Sequence, residues 1–119
     1  MPHLTIEITG NLKSFIHAPV LLQVVHQVLL QSQVFAAEDI KSRLVWLNDF
    51  CVGEAGETEG FVHATLDMLA GRPPEVRQKL AADVASALRF GLDEVVSLPI
   101  QVSCWVRDMD QNSFVKHRV

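Results

Sequence analysis

The stretch Pro2-His3-Leu4-Thr5-Ile6-Glu7 returns sixty residues later as Val62-His63-Ala64-Thr65-Leu66-Asp67. Histidine, threonine, an aliphatic residue and an acid recur in register, so the chain reads as one strand-helix-strand unit written twice. Only the first copy opens on a proline. Loss of Met1 would expose the secondary amine of Pro2, a base with no rotatable side chain that stays wherever the strand places it. The repeat decides the fold, and the proline marks the candidate seat of chemistry.

Outward from these two strands the pattern holds. Leu4, Ile6 and Ile8 alternate with Thr5, Glu7 and Thr9, the period-two signature of a half-buried strand. Gly10-Asn11 breaks the run. Ala18-Pro19 suits a helix start, with Leu21, Val24, Val25 and Val28 at helical spacing and Gln23, Gln27 and Gln31 as the solvated stripe. After Phe35 and an acidic turn, residues 41–48 alternate again, with Leu44 and Trp46 on one side and Val45 and Leu47 on the other. In the second copy, Pro73-Pro74 suits a first helical turn, where a missing N–H costs nothing. Val76, Leu80, Val84 and Leu88 form its apolar stripe, and Gly91 marks its end. Ile100, Val102, Cys104 and Val106 alternate as the last main strand, and residues 108–119 form a polar arm or a short edge strand.

Right-handed crossovers within each unit predict an α+β fold. It is a single domain, residues 1–119, with pseudo-repeats 1–48 and 61–107 joined by an acidic loop at 49–60. The four strands make one sheet with both helices on one face. The other face is expected to stay apolar and open, with Leu4, Ile6 and Ile8 as the contribution of strand one. A sheet covered on one side buries its second side most cheaply against other copies of the chain.

Bulk properties bound the function. One domain of 119 residues with 49% hydrophobic residues and a mean hydropathy of +0.21 is greasy for a monomer, which again points to assembly. The formal charge of −4 and the lack of a Lys/Arg cluster argue against nucleic acid as a partner. The most apolar stretch, 20–30, is broken by Gln23, His26 and Gln27 and falls far short of a membrane span. Cys51 and Cys104, with no leader pattern at the amino end, suggest free thiols in a reducing cytoplasm. Five scattered histidines without metal-ligand spacing predict no metal site, and no cofactor motif is present.

The candidate site residues are therefore few. Pro2 is the base, provided that an apolar pocket and a nearby cation keep its amine unprotonated near neutral pH. Arg72 lies between the second strand copy and the Pro73-Pro74 helix start, a suitable place to bind a carboxylate. Lys41 and Arg43 share one face of their strand at i and i+2 and are further cations in reach.

The opening Met1-Pro2-His3 strand, Ile40-Lys41-Ser42-Arg43-Leu44-Val45-Trp46, Phe61-Val62-His63-Ala64-Thr65-Leu66 and Ala70-Gly71-Arg72, in this order, resemble the 5-carboxymethyl-2-hydroxymuconate isomerase family of the tautomerase superfamily. The resemblance spans nearly the whole chain except the acidic loop and the tail. It implies the fold shared with 4-oxalocrotonate tautomerase and macrophage migration inhibitory factor, a homotrimer whose sheets line a central barrel. It also implies a catalytic amino-terminal proline after methionine removal, no metal or other cofactor, and a small anionic enol substrate from aromatic-acid catabolism. Pro2 matches the base and Arg72 a carboxylate-binding arginine. The second arginine of the family falls at Lys41, which keeps the charge but loses the bidentate fork; either Arg43 compensates or the substrate differs from the usual one of the family. Two alternatives remain open: a same-superfamily dehalogenase or decarboxylase using a protonated proline, and a non-catalytic binding module that uses the fold to oligomerise.

Overall fold

The computed structural model describes all 119 residues. Strand β1 (His3–Thr9) leads through a 3-10 turn at Gly10–Leu12 to helix α1 (Ala18–Gln31). A short 3-10 segment (Ala37–Asp39) then enters β2 (Lys41–Leu47). After the 49–59 loop come β3 (Gly60–Leu69), helix α2 (Pro74–Leu92) and β4 (Ile100–Met109). The sheet order is β2-β1-β3-β4. The outer strands run parallel to their inner neighbours, and the two inner strands pair antiparallel. The tail forms a 3-10 turn at Gln111–Ser113 and no edge strand.

Both helices pack on the same face of the sheet. Leu21, Val25 and Leu29 of α1 and Leu80, Val84, Leu88 and Leu92 of α2 share one core with Leu4, Ile6, Ile8, Val62, Ala64, Leu66 and Met68. α2 runs one residue past Gly91, and α1 buries Leu29 where the spacing had put Val24, which stays 43% exposed.

This packing corrects one expectation. Leu4, Ile6 and Ile8 do not line an open apolar face; all three are fully buried under the helices. Alternation shows that one side of a strand is apolar but not which layer covers it. The helices carry apolar stripes of their own, and covering a Leu or Ile side chain is worth about 1.5–3 kcal/mol. Sheet and helix stripes therefore satisfy each other within the chain. The uncovered face carries His3, Thr5, Glu7, His63, Thr65 and Asp67 of the inner strands. On it Arg107 forms a two-point ion pair with Asp67, at 2.8 and 3.1 Å, and lies over the Trp105 ring at 5.3 Å.

The two parallel pairs differ in register. His3 sits opposite Lys41, whereas His63 sits opposite Ser103. Each histidine nevertheless bonds through Nδ1 to the residue forty positions on: His3 to Arg43 at 3.1 Å and His63 to Ser103 at 2.6 Å. The first contact is diagonal and the second direct.

The 49–59 loop is tied down locally. Asn11 donates through Nδ2 to the carbonyls of Glu57 and Glu59, and Val52 bridges to Gly56. Gly60, where β3 begins, is required sterically: a Cβ there would lie 2.7 Å from Thr9 Oγ1, which accepts from the Phe61 N–H at 3.1 Å.

Candidate active site

Pro2 is buried at the head of β1. Its carbonyl accepts a hydrogen bond from the Lys41 N–H at 3.1 Å, which zips the start of the inner strand to the start of β2. The amine of Met1, one residue outward, lies 3.6 Å from Asp39 Oδ2. Burial pushes this amine below its ordinary value; Asp39 pulls the other way, while Lys41 and Lys116 lower it further.

The connection from α1 to β2, residues 33–40, is the hub of this end of the molecule. Gln33 adopts a left-handed conformation (φ 60°), a turn that few non-glycine residues enter. Arg72, on the loop between β3 and α2, donates through Nη2 to the Val34 carbonyl at 3.0 Å. Its guanidinium also lies 5.0 Å over the Phe35 ring. Asp39 faces the amino terminus and, through Oδ1, Lys116 of the tail at 2.6 Å. Lys41 turns its ammonium back onto the Asp39 carbonyl at 2.9 Å.

The four residues singled out from sequence are thus arranged unequally. Pro2 and Lys41 are directly joined through the backbone, and Arg72 is anchored to the same hub by Val34 and Phe35. Arg43 stands apart. It lies opposite Thr5 on the uncovered face and is engaged by His3, one strand step beyond Lys41. Burial pushes the His3 imidazole below its usual range; Arg43 and Lys41 add to this and Asp67 opposes it.

The family model for 5-carboxymethyl-2-hydroxymuconate isomerase matches residues 2–118. The chain belongs to this family. Among relatives of known name, 5-carboxymethyl-2-hydroxymuconate Delta-isomerase of Escherichia coli is 30% identical over 79 residues, which is 66% of this chain. That match spans 63% of the length of the E. coli protein. Among solved structures, a 5-carboxymethyl-2-hydroxymuconate isomerase from Deinococcus radiodurans R1 superposes with a TM-score of 0.88 at 27% identity. It covers 99% of this chain and 90% of its own. A fused 4-OT described as a symmetric trimer superposes with a TM-score of 0.73 at 19% identity, covering 94% of this chain and 89% of its own; that likeness concerns the fold.

For a member of the 5-carboxymethyl-2-hydroxymuconate isomerase family, the position of the concavities matters. The apolar cleft between the start of α1 and the end of α2, about 260 Å3 and lined by Phe15, Ile16, Val20 and Val95, does not include Pro2. A second hollow, between α1 and the start of β2, reaches Lys41, Ser42 and His26. There His26 Nδ1 bonds Ser42 Oγ at 2.7 Å. Two charged residues at the hub had escaped sequence reasoning. Asp39 left a faint signal, as an acid two residues ahead of Lys41. Lys116 left none, because its partner is 77 positions away.

Proposed function

We propose that the protein is a cofactor-independent isomerase that moves a proton on a 2-hydroxymuconate-type dienol acid, with the nitrogen of Pro2 as general base. The observation that carries this reading is a prolyl residue buried at the head of an inner strand and held by its carbonyl to the Lys41 N–H, with Asp39 and Lys41 at the same end of the sheet. Family membership supports the reaction class. In the reaction, the nitrogen freed by removal of Met1 takes the proton of the 2-hydroxyl. The enol oxygen becomes the 2-oxo group, electron density moves along the conjugated chain, and the same nitrogen returns a proton to the distal carbon. No covalent intermediate forms. Arg72 and Lys41 hold the carboxylates and offset the charge that develops on the conjugated acid. Arg43, tied to His3 on the uncovered face, is the more remote of the three cations.

The uncovered sheet face, with Trp105 57% and Val45 42% exposed, is the surface by which we expect copies of the chain to associate as a homotrimer. Self-association would also close off the amino-terminal site from bulk water. The setting is cytoplasmic aromatic-acid catabolism.

Ultraviolet assays with a panel of 2-hydroxymuconates and enolpyruvates, together with intact-mass analysis, test the reading. Mature protein without Met1 and a loss in kcat/KM of about 10²–10⁴ for Pro2→Ala are expected, the usual range for general base catalysis. Wild-type turnover by Pro2→Ala removes the proline from the mechanism, and a retained Met1 favours a non-catalytic module. An amine that titrates well above neutral favours an acid role, as in a dehalogenase or decarboxylase.

A further inference from the structure

We propose that Asp39 and Lys116 form a positioning pair for the amino-terminal site, in which the tail lysine governs how Asp39 acts on the Pro2 nitrogen and is itself a further cation, beside Arg72 and Lys41, offered to the substrate carboxylates. The inference rests on the reading of Pro2 as the base and adds two residues to it.

The geometry is a divided carboxylate. Oδ1 of Asp39 holds the Lys116 ammonium at 2.6 Å and Oδ2 faces the terminal amine at 3.6 Å. The prolyl nitrogen lies one residue further in, at most about 3.8 Å beyond that amine, so Asp39 acts on it through its charge and not by contact. Lys116 belongs to a tail with little else to hold it: Val115 and Val119 beside it are exposed. A half-exposed ion pair of this kind contributes little stability, so fastening the tail is a poor account of it. It does place a second lysine near the amino terminus, beside Lys41, which commits one of its three ammonium donors to the Asp39 carbonyl.

The charges that face the terminal amine come from four elements. His3 lies on β1, Asp39 on the hub, Lys41 on β2 and Lys116 on the tail, with Arg43 and Asp67 acting on His3 from behind. Of these, only Lys116 sits on a long flexible stem outside the sheet and hub. A dianionic substrate competes with Asp39 for that ammonium, and a lysine stem is flexible enough to follow it. When Lys116 moves to the substrate, the unneutralised charge of Asp39 strengthens the hold of the prolyl nitrogen on a proton at the step where it must accept one. Carboxylate binding and base strength are coupled through one side chain.

The test is the pH dependence of kcat/KM and kcat for wild type, Lys116→Ala, Lys116→Arg and Asp39→Asn. Lys79→Ala, which breaks an exposed α2 pair with Asp83, is the control, and urea midpoints show that each variant is folded. Lys116→Ala is expected to raise KM by up to about fivefold and to move the acid limb of kcat/KM to higher pH. Lys116→Arg restores both, and Asp39→Asn moves that limb to lower pH. Superimposable profiles for Lys116→Ala and wild type overturn the proposal, as do shifts of the same sign in Lys116→Ala and Asp39→Asn. An inactive Pro2→Ala alongside a silent Lys116→Ala leaves the base standing and removes only this pair, whereas an active Pro2→Ala removes both.

Discussion

Replacing Arg72 with alanine separates the anchoring that the structure shows from the carboxylate binding proposed for the same side chain. The guanidinium donates to the Val34 carbonyl at 3.0 Å and stacks at 5.0 Å over Phe35, so it fastens the β3–α2 loop to the hub that carries Asp39 and Lys41. A hydrogen bond from a charged donor is worth about 1.5–3 kcal/mol, and the half-buried setting places this one at the low end. The cation–π contact adds about 0.5 kcal/mol. Arg72→Ala should therefore cost about 2 kcal/mol of stability, read as a lowered urea midpoint from the fluorescence of Trp46 and Trp105 at fixed protein concentration. The anchor uses only one of the five guanidinium N–H donors and leaves the others for a carboxylate. Losing a charge-assisted carboxylate contact of about 2 kcal/mol corresponds to a rise in KM of roughly thirtyfold. Arg72→Lys keeps the charge without the planar fork, so it should recover part of KM and less of the stability. A destabilised Arg72→Ala with wild-type KM would leave Arg72 as an anchor alone and refute its role at the substrate.

Two further outcomes follow from the titrating groups. The folded state holds the His3 imidazole below its ordinary value of 6.5, so the unfolded chain binds the extra proton more readily and stability falls as pH drops from about 6.5 through the folded value. Urea midpoints at pH 7.5 and 5.5 should show that loss, and His3→Gln should flatten it; an unchanged slope in the variant assigns the effect to another group. Burial pushes the Cys104 thiol up to about 11, while Cys51 is exposed. Iodoacetamide at pH 8 should therefore label Cys51 first by peptide mass spectrometry, and equal labelling contradicts the half-buried setting of Cys104.

Much of the architecture was readable along the chain because it rests on local periodicity. Alternation over 4–9 and its repeat at 62–67 marked the two strands that prove to be the inner pair, the Leu80, Val84 and Leu88 spacing marked α2, and paired prolines marked its start to within a residue. Lys41 and Arg43 showed the limit of such reasoning. Their shared strand face was correct, but that face is the uncovered one and belongs to His3 and Asp67, while only Lys41 bears on the amino terminus. Sequence spacing specifies parity, not distance from a third element.

The repeat and its proline are properties of the chain alone: two strand-helix-strand units, a first strand with Pro2 at its head, and Arg72 just after its second copy. Three things waited for the tertiary structure. Helices took the aliphatic side of the sheet and left the polar side uncovered, because two amphipathic stripes within one chain find each other without an intermolecular encounter. The parallel pairs settled two residues apart in register, which put Arg43 diagonal to His3 and Ser103 beside His63. Asp39 met the amino terminus and Lys116 because the fold closes a span of 77 residues, a contact that no local pattern encodes.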